Sequence, residues 1–270
     1  MTDMRNIDDT VALMRQLAGA AASAILPHFR AGTVIDDKGP GAFDPVTEAD
    51  RAGERAMRAI LAEQAPEDAI IGEEYPAAPG SSGWTWYLDP VDGTRAFVAG
   101  LTSWATLIGL ADRTGTPVFG CIAQPFLGET YLGWPGGAAL ENGSGDGAIG
   151  VSACRDLREA VIATTDPFIF TPAEEGAWTH LRHTARLVRY GLDAYAYARL
   201  AAGTMDLVAE SGLKSWDMAA LIPVVRGAGG LALDWRGQPA TLNGPGGQLV
   251  CAASRPVMDQ ALLALKRSAA

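Results

Sequence analysis

Between Trp104 and Leu140 the chain carries three apolar runs, over residues 104–111, 117–123 and 129–134. They are interrupted by Gly115, Pro117, Pro125, Gly128, Pro135, Gly136 and Gly137. Runs of this length match strands, and Gly/Pro punctuation at this spacing predicts an antiparallel meander. No other feature constrains the fold as strongly, because the remaining chain must supply layers that cover this sheet.

The flanking segments can do so. Ile7, Val11, Met14, Leu17 and Ala21 return to one face and predict a helix over 7–30. Lys38-Gly39-Pro40-Gly41 predicts a loop. Thr47 as N-cap, with Asp50 as its capping-box partner, predicts a helix to about Ala65. Ala69–Ile71 and Trp84–Leu88 read as strands, and 141–150 as a loop at the seam of two lobes. Strands are then predicted over 161–163, 187–190, 205–209, 231–233 and 249–252. Helices are predicted over 173–186, 193–202, 217–228 and 256–266. The expectation is an α/β chain of mixed layers, with an N-terminal lobe over 1–145 and a C-terminal lobe over 146–270.

Composition limits the partners. A chain of 270 residues, 48% of them apolar, can bury a sizeable core unaided. Asp and Glu number 31 against 21 Lys and Arg, a formal charge of −10. That field disfavours nucleic acid and anionic membranes, and anionic substrates need bridging cations. Cys121, Cys154 and Cys251 are too few and too scattered for a disulfide framework or a zinc site, which fits a reducing compartment. The first residues lack the basic-then-apolar order of a signal peptide, and Leu17–Leu26 is too short to span a bilayer. These features predict a soluble, cytoplasmic protein.

Histidine is scarce. His28 adjoins Pro27 at a helix end, while His180 and His183 share a helix face without a carboxylate-rich neighbour. Neither a Gly-x-Ser-x-Gly elbow nor a Walker-type phosphate loop occurs. Gly145–Gly150 matches the dinucleotide pattern only nominally, since neither strand nor helix frames it.

The carboxylates are more informative. Trp86–Leu88 leads into Asp89-Pro90-Val91-Asp92-Gly93-Thr94. Pro90 keeps Asp89 extended, so Asp89 and Asp92 can converge at the strand's carboxyl end beside the Val91 carbonyl. A helix starting at Gly93-Thr94 would offer N–H groups to a phosphate. Glu73-Glu74 ends another apolar run, Asp217 can cap a helix, and Asp50 follows Pro45-Val46-Thr47. Such acids repel one another unless a hard cation joins them, so the pattern points to metal-assisted phosphate chemistry. The Asp-x-Asp-x-Thr signature of aspartyl-phosphate hydrolases does not fit, because one extra residue separates the two acids.

Asp89–Thr94, Gly72-Glu73-Glu74, Pro45–Asp50, Trp216–Ala220 and Gly227–Gly230 together resemble the inositol monophosphatase family of Mg2+-dependent phosphatases, over about residues 7–265. The resemblance implies a layered αβαβα sandwich, usually homodimeric, that hydrolyses a phosphate monoester with two or three Mg2+ ions. It implies Glu73, Asp89, the Val91 carbonyl, Asp92 and Asp217 as metal ligands. Thr94 and Asp50 match the pair orienting the attacking water, with Glu73 also in the catalytic set, and Glu74 stands farther out. The Gly93 and Thr94 amides match the phosphate contact.

After Asp-Gly-Thr, Arg95-Ala96-Phe97 replaces the usual Thr-Asn-Phe of inositol phosphatases. Together with Leu101–Ile108 and Gly191-Leu192-Asp193-Ala194-Tyr195-Ala196-Tyr197, this resembles the histidinol-phosphate phosphatase branch. Asp44 and Leu192 depart from the usual pattern. A cationic alcohol suits extra acids, so Asp193 and Glu210 are candidate substrate contacts, and Arg95, Asp92 and Asp217 complete the candidate set. An inositol-1-phosphatase, a broad sugar-phosphate phosphatase and a catalytically silent metal-binding scaffold are the alternatives.

Overall fold

Helix α1 (Ile7–Ile25) starts where the Asn6 side chain accepts the Asp9 N–H at 3.1 Å, and it buries Val11, Met14, Leu17, Ala21 and Ile25. The computed structural model describes residues 5–31, 35–37, 45–143 and 145–270, without the side chains of 35–37 and 45–47. The expected loop at Lys38–Gly41 and Asp44 lie outside the described residues, as does the side chain of Thr47, the expected cap. The helix predicted to residue 30 ends earlier, passing into a 3-10 turn over Leu26–His28. Pro27 lacks the N–H needed to continue the α-helix.

A short antiparallel pair, β1 (Ile35–Asp37) and β2 (Pro45–Thr47), precedes α2 (Glu48–Gln64), which packs on α1. Strands β3 (Ala69–Gly72) and β4 (Thr85–Asp92) are parallel and followed by a short helix α3 (Thr94–Val98). The meander follows as β5 (Ala105–Ala111), β6 (Pro117–Gln124) and β7 (Glu129–Trp134). It continues through β8 (Gly137–Asn142) and β9 (Gly145–Ala148), giving a seven-stranded sheet in sequence order. The loop expected over 141–150 is therefore corrected to the end of a hairpin. Strand β9 is exposed along its length, so it carries no apolar signal and owes its form to pairing with β8.

The second half alternates as expected. It contains β10 (Val161–Ala163), α4 (Pro172–Thr184), β11 (Leu187–Arg189), α5 (Tyr195–Ala201), β12 (Leu207–Glu210) and α6 (Ser215–Gly227). It closes with β13 (Leu231–Leu233), β14 (Leu249–Ala252) and α7 (Arg255–Leu265). A five-stranded sheet results, in the order β11-β10-β12-β14-β13.

Helices α1 and α2 cover one face of the larger sheet, and α5 and α6 fill the space between the sheets. Helices α4 and α7 close the outer face of the smaller sheet. This is the layered αβαβα sandwich expected from the resemblance. Every residue of β5 is buried because helices cover both faces, which explains its continuous apolar run.

Helix α6 lies unusually close to the meander. Gly109 on β5, Gly120 on β6 and Gly133 on β7 are in register across neighbouring strands. A Cβ at these positions would overlap Ala219, Ala220 and the Pro223–Val224 backbone, respectively. This row of glycines sets the height of α6 above the sheet, and with it the position of Asp217 near the helix start.

Candidate active site

Because β3 and β4 are parallel, their carboxyl ends share one edge, where the Glu73 N–H donates to the Leu88 carbonyl at 3.1 Å. Strand β4 runs past the expected Leu88 to Asp92, with a register shift against β5 between Asp89 and Asp92. Pro90 cannot donate to the ladder, and a shifted register accommodates it. The segment is held instead by Thr106 Oγ1, donating to the Pro90 carbonyl at 2.8 Å, and by the Val91 N–H, donating to Asp89 Oδ1 at 3.0 Å. Gly93 turns the chain into α3 at φ 81°, and the Thr94 hydroxyl donates back to the Val91 carbonyl at 3.1 Å.

Asp217 comes from the middle layer. It is not the N-cap of α6, as expected, but the third helical residue. Lys214 is the cap, and its N–H donates to Asp217 Oδ2 at 2.8 Å. The acid thus secures the helix start while facing β4. Asp89, Asp92 and Asp217 each offer a carboxylate oxygen, all within 4.8 Å of one another.

Burial, then the charges of Glu73, Asp92 and Asp217, raise the Asp89 carboxyl well above its usual range. Burial, then Asp193 and Asp217, does the same to Asp92. Burial pushes Asp217 up to about 7 against the stabilising Lys214 N–H. Glu73 lies outside the trio but acts on both Asp89 and Asp217, and buried Asp50 also acts on Asp89. An all-oxygen, mutually repelling donor set of this kind fits a hard divalent cation.

A cavity of ≈160 Å³ adjoins the trio, lined by Asp92, Thr165, Asp193, Tyr197, Glu210 and Asp217 among others. The Ala194 N–H donates to Asp92 Oδ2 at 2.6 Å, tying the start of α5 to the end of β4. Asp193 takes a left-handed φ of 47° against Gly93, where a Cβ would press on its carboxyl group at 2.9 Å. Burial raises Asp193 to about 6, opposed by exposed Arg95. Glu210 accepts the Thr165 N–H and hydroxyl at 2.8 and 2.6 Å, while burial raises it to about 8. The structure therefore brings Asp193 and Glu210 to the same cavity as Asp92 and Asp217, with Arg95 beside Asp193.

Glu54 carries no signal in the sequence that marks it as part of the site. It is fully buried beneath the β3 edge, accepting the Glu74 N–H and Arg58 Nε at 2.8 Å each. Its spacing of four from Arg58 looks like an ordinary surface pair. Only Gly72 hints at the close approach, since a Cβ there would strike the Glu54 carboxylate. Tyr197, the last residue of the Gly191–Tyr197 segment, also lines the cavity.

Comparison with known proteins agrees with this architecture. The chloroplastic bifunctional phosphatase IMPL2 of Arabidopsis thaliana is 40% identical over 234 residues, covering 86% of this chain and 66% of that protein. A histidinol-phosphatase of Chlorobaculum parvum is 35% identical over 203 residues, covering 75% of this chain and 77% of that protein. A solved inositol monophosphatase from Zymomonas mobilis superposes with a TM-score of 0.85 at 39% identity, over 97% of this chain and all of that one. The model of the inositol monophosphatase family matches residues 6–269, so this chain belongs to that family of phosphatases.

Proposed function

We propose that the protein is a Mg2+-dependent phosphatase that prefers L-histidinol phosphate, releasing L-histidinol and phosphate in histidine biosynthesis. The observation carrying this reading is the trio Asp89, Asp92 and Asp217 beside a cavity that holds two further acids. Glu73, Asp89, the Val91 carbonyl, Asp92 and Asp217 would hold two or three ions. When bound, such ions neutralise the phosphate and acidify water.

The chain's own groups do the rest. Thr94 and Asp50, with Glu73 nearby, orient the attacking water. The Gly93 and Thr94 amides at the start of α3 hold phosphate oxygens. Asp193 and Glu210, joined by Asp92, Asp217 and Arg95, receive the alcohol portion. Carboxylates there suit the ammonium and imidazole of histidinol better than a neutral polyol, with about 1.5–3 kcal/mol for a well-made charge-assisted hydrogen bond. The histidinol-phosphatase from Chlorobaculum parvum supports this choice. The reading includes a cytoplasmic homodimer.

A second reading, an inositol-1-phosphatase or broad sugar-phosphate phosphatase, draws support from the similarity to the Zymomonas mobilis enzyme. Steady-state kcat/KM for histidinol phosphate and inositol 1-phosphate, with Mg2+ present, decides between them. We expect at least a tenfold preference for histidinol phosphate. Equal or reversed values refute the substrate assignment, and absence of chelator-sensitive phosphate release from either ester refutes the chemistry.

A further inference from the structure

Three of the residues that line the cavity beside the acidic trio carry hydroxyls, and two of these are committed. Thr165 Oγ1 donates to Glu210 at 2.6 Å, and Ser211 Oγ donates to Glu174 at 2.6 Å. Tyr197 differs. Its side chain is fully buried, and its hydroxyl has no hydrogen-bond partner among the described residues. The neighbouring tyrosine on α5 shows the contrast, since the Tyr195 hydroxyl donates to Glu129 at 2.8 Å. A buried, unpaired hydroxyl is destabilising, and such groups are normally satisfied. Phenylalanine would fill the same space without that cost.

We infer that the Tyr197 hydroxyl is a specificity-determining contact, hydrogen-bonding a polar atom of the substrate's alcohol portion. Its surroundings support this role. Asp92, Asp193, Glu210 and Asp217 present acceptors to the cavity, so a cationic group has partners there. The unprotonated nitrogen of an imidazole needs a donor instead. Burial keeps the phenol protonated, and it supplies that donor. This inference rests on the phosphatase reading and adds to it the group that reads the neutral polar atoms of the leaving alcohol.

The test is Tyr197→Phe, examined with Mg2+ against histidinol phosphate, inositol 1-phosphate and phenyl phosphate, whose alcohol portion has no further polar atom. For histidinol phosphate, we expect kcat/KM to fall about threefold to tenfold further than for phenyl phosphate, the loss of one neutral hydrogen bond. KM should carry most of that difference. The melting temperature should be no lower than that of the parent, because the substitution removes an unpaired buried group. Equal losses on histidinol phosphate and phenyl phosphate, or no loss on either, overturn the assignment. A drop of several degrees in melting temperature also overturns it, by showing that the hydroxyl serves the fold. Loss on inositol 1-phosphate but not histidinol phosphate would assign the contact to a polyol and refute the donor-to-imidazole role. A parent protein that hydrolyses none of the three esters removes the phosphatase reading itself, and the inference with it.

Discussion

At the scale of single residues, the site gathers carboxyl groups whose burial and mutual repulsion raise their pKa above the ordinary range. Glu210 illustrates the sign of the effect. Burial places its folded-state pKa at about 8, above the ordinary 4.5. The folded form therefore retains a proton that the unfolded chain releases. Its contribution to stability is fully present below pH 4.5 and declines as the pH rises towards 8. Glu210→Gln keeps an acceptor for the Thr165 N–H and hydroxyl but cannot ionise. In the metal-free protein, we expect the stability of the variant relative to the parent to improve steadily between pH 5 and pH 8. Urea denaturation at several pH values measures this, and a constant difference would count against the assignment. Asp217 teaches another residue-scale lesson. An acid near a helix start was legible in the sequence, but its place as the third helical residue was not. Lys214 is not a residue type that announces a cap, so its N–H bond to Asp217 leaves no compositional mark.

At the scale of elements, legibility followed burial. The meander was readable because β5, β6 and β7 are covered on at least one face, and β4 because its apolar core precedes two acids. The β8–β9 hairpin was not, since its last strand is exposed and held by backbone pairing. Glu54 was hidden because its partners are a remote backbone amide and a nearby arginine. The contact between α6 and the meander was hidden too. Glycines at 109, 120 and 133 read as strand weaknesses until the strands are aligned. Gly120→Ala tests that contact, because its new methyl group meets the Ala220 carbonyl and must lift α6. Overpacking of this kind costs about 1–3 kcal/mol. We expect a loss of that size in denaturant titration, together with weaker Mg2+ binding by calorimetry as Asp217 moves. Unaltered Mg2+ affinity would dissociate helix height from the site.

At the scale of the whole molecule, charge and architecture meet at one edge. The chain carries a net charge of −10 and concentrates several acids where β3, β4, α5 and α6 converge. Cation binding should therefore stabilise the entire fold. With Mg2+ at a hundred times its dissociation constant, the gain is about 2.7 kcal/mol, or roughly 5–10 °C in melting temperature for a chain of this size. Adding a chelator at pH 8 should abolish that gain. At pH 5.5 the gain should be smaller, because protons compete for the raised carboxylates. A melting temperature indifferent to chelator at pH 8 would refute the metal centre. The two sheets also divide the labour. Asp89, Asp92 and Gly93 belong to the larger sheet and its turn, whereas Glu210 lies on the smaller sheet and its partner Thr165 on the loop just after β10. If the proposed assignments hold, substitutions beside the smaller sheet would change which alcohol is accepted while the machinery that cleaves its ester stays intact, giving one scaffold a route to new diets without relearning how to digest.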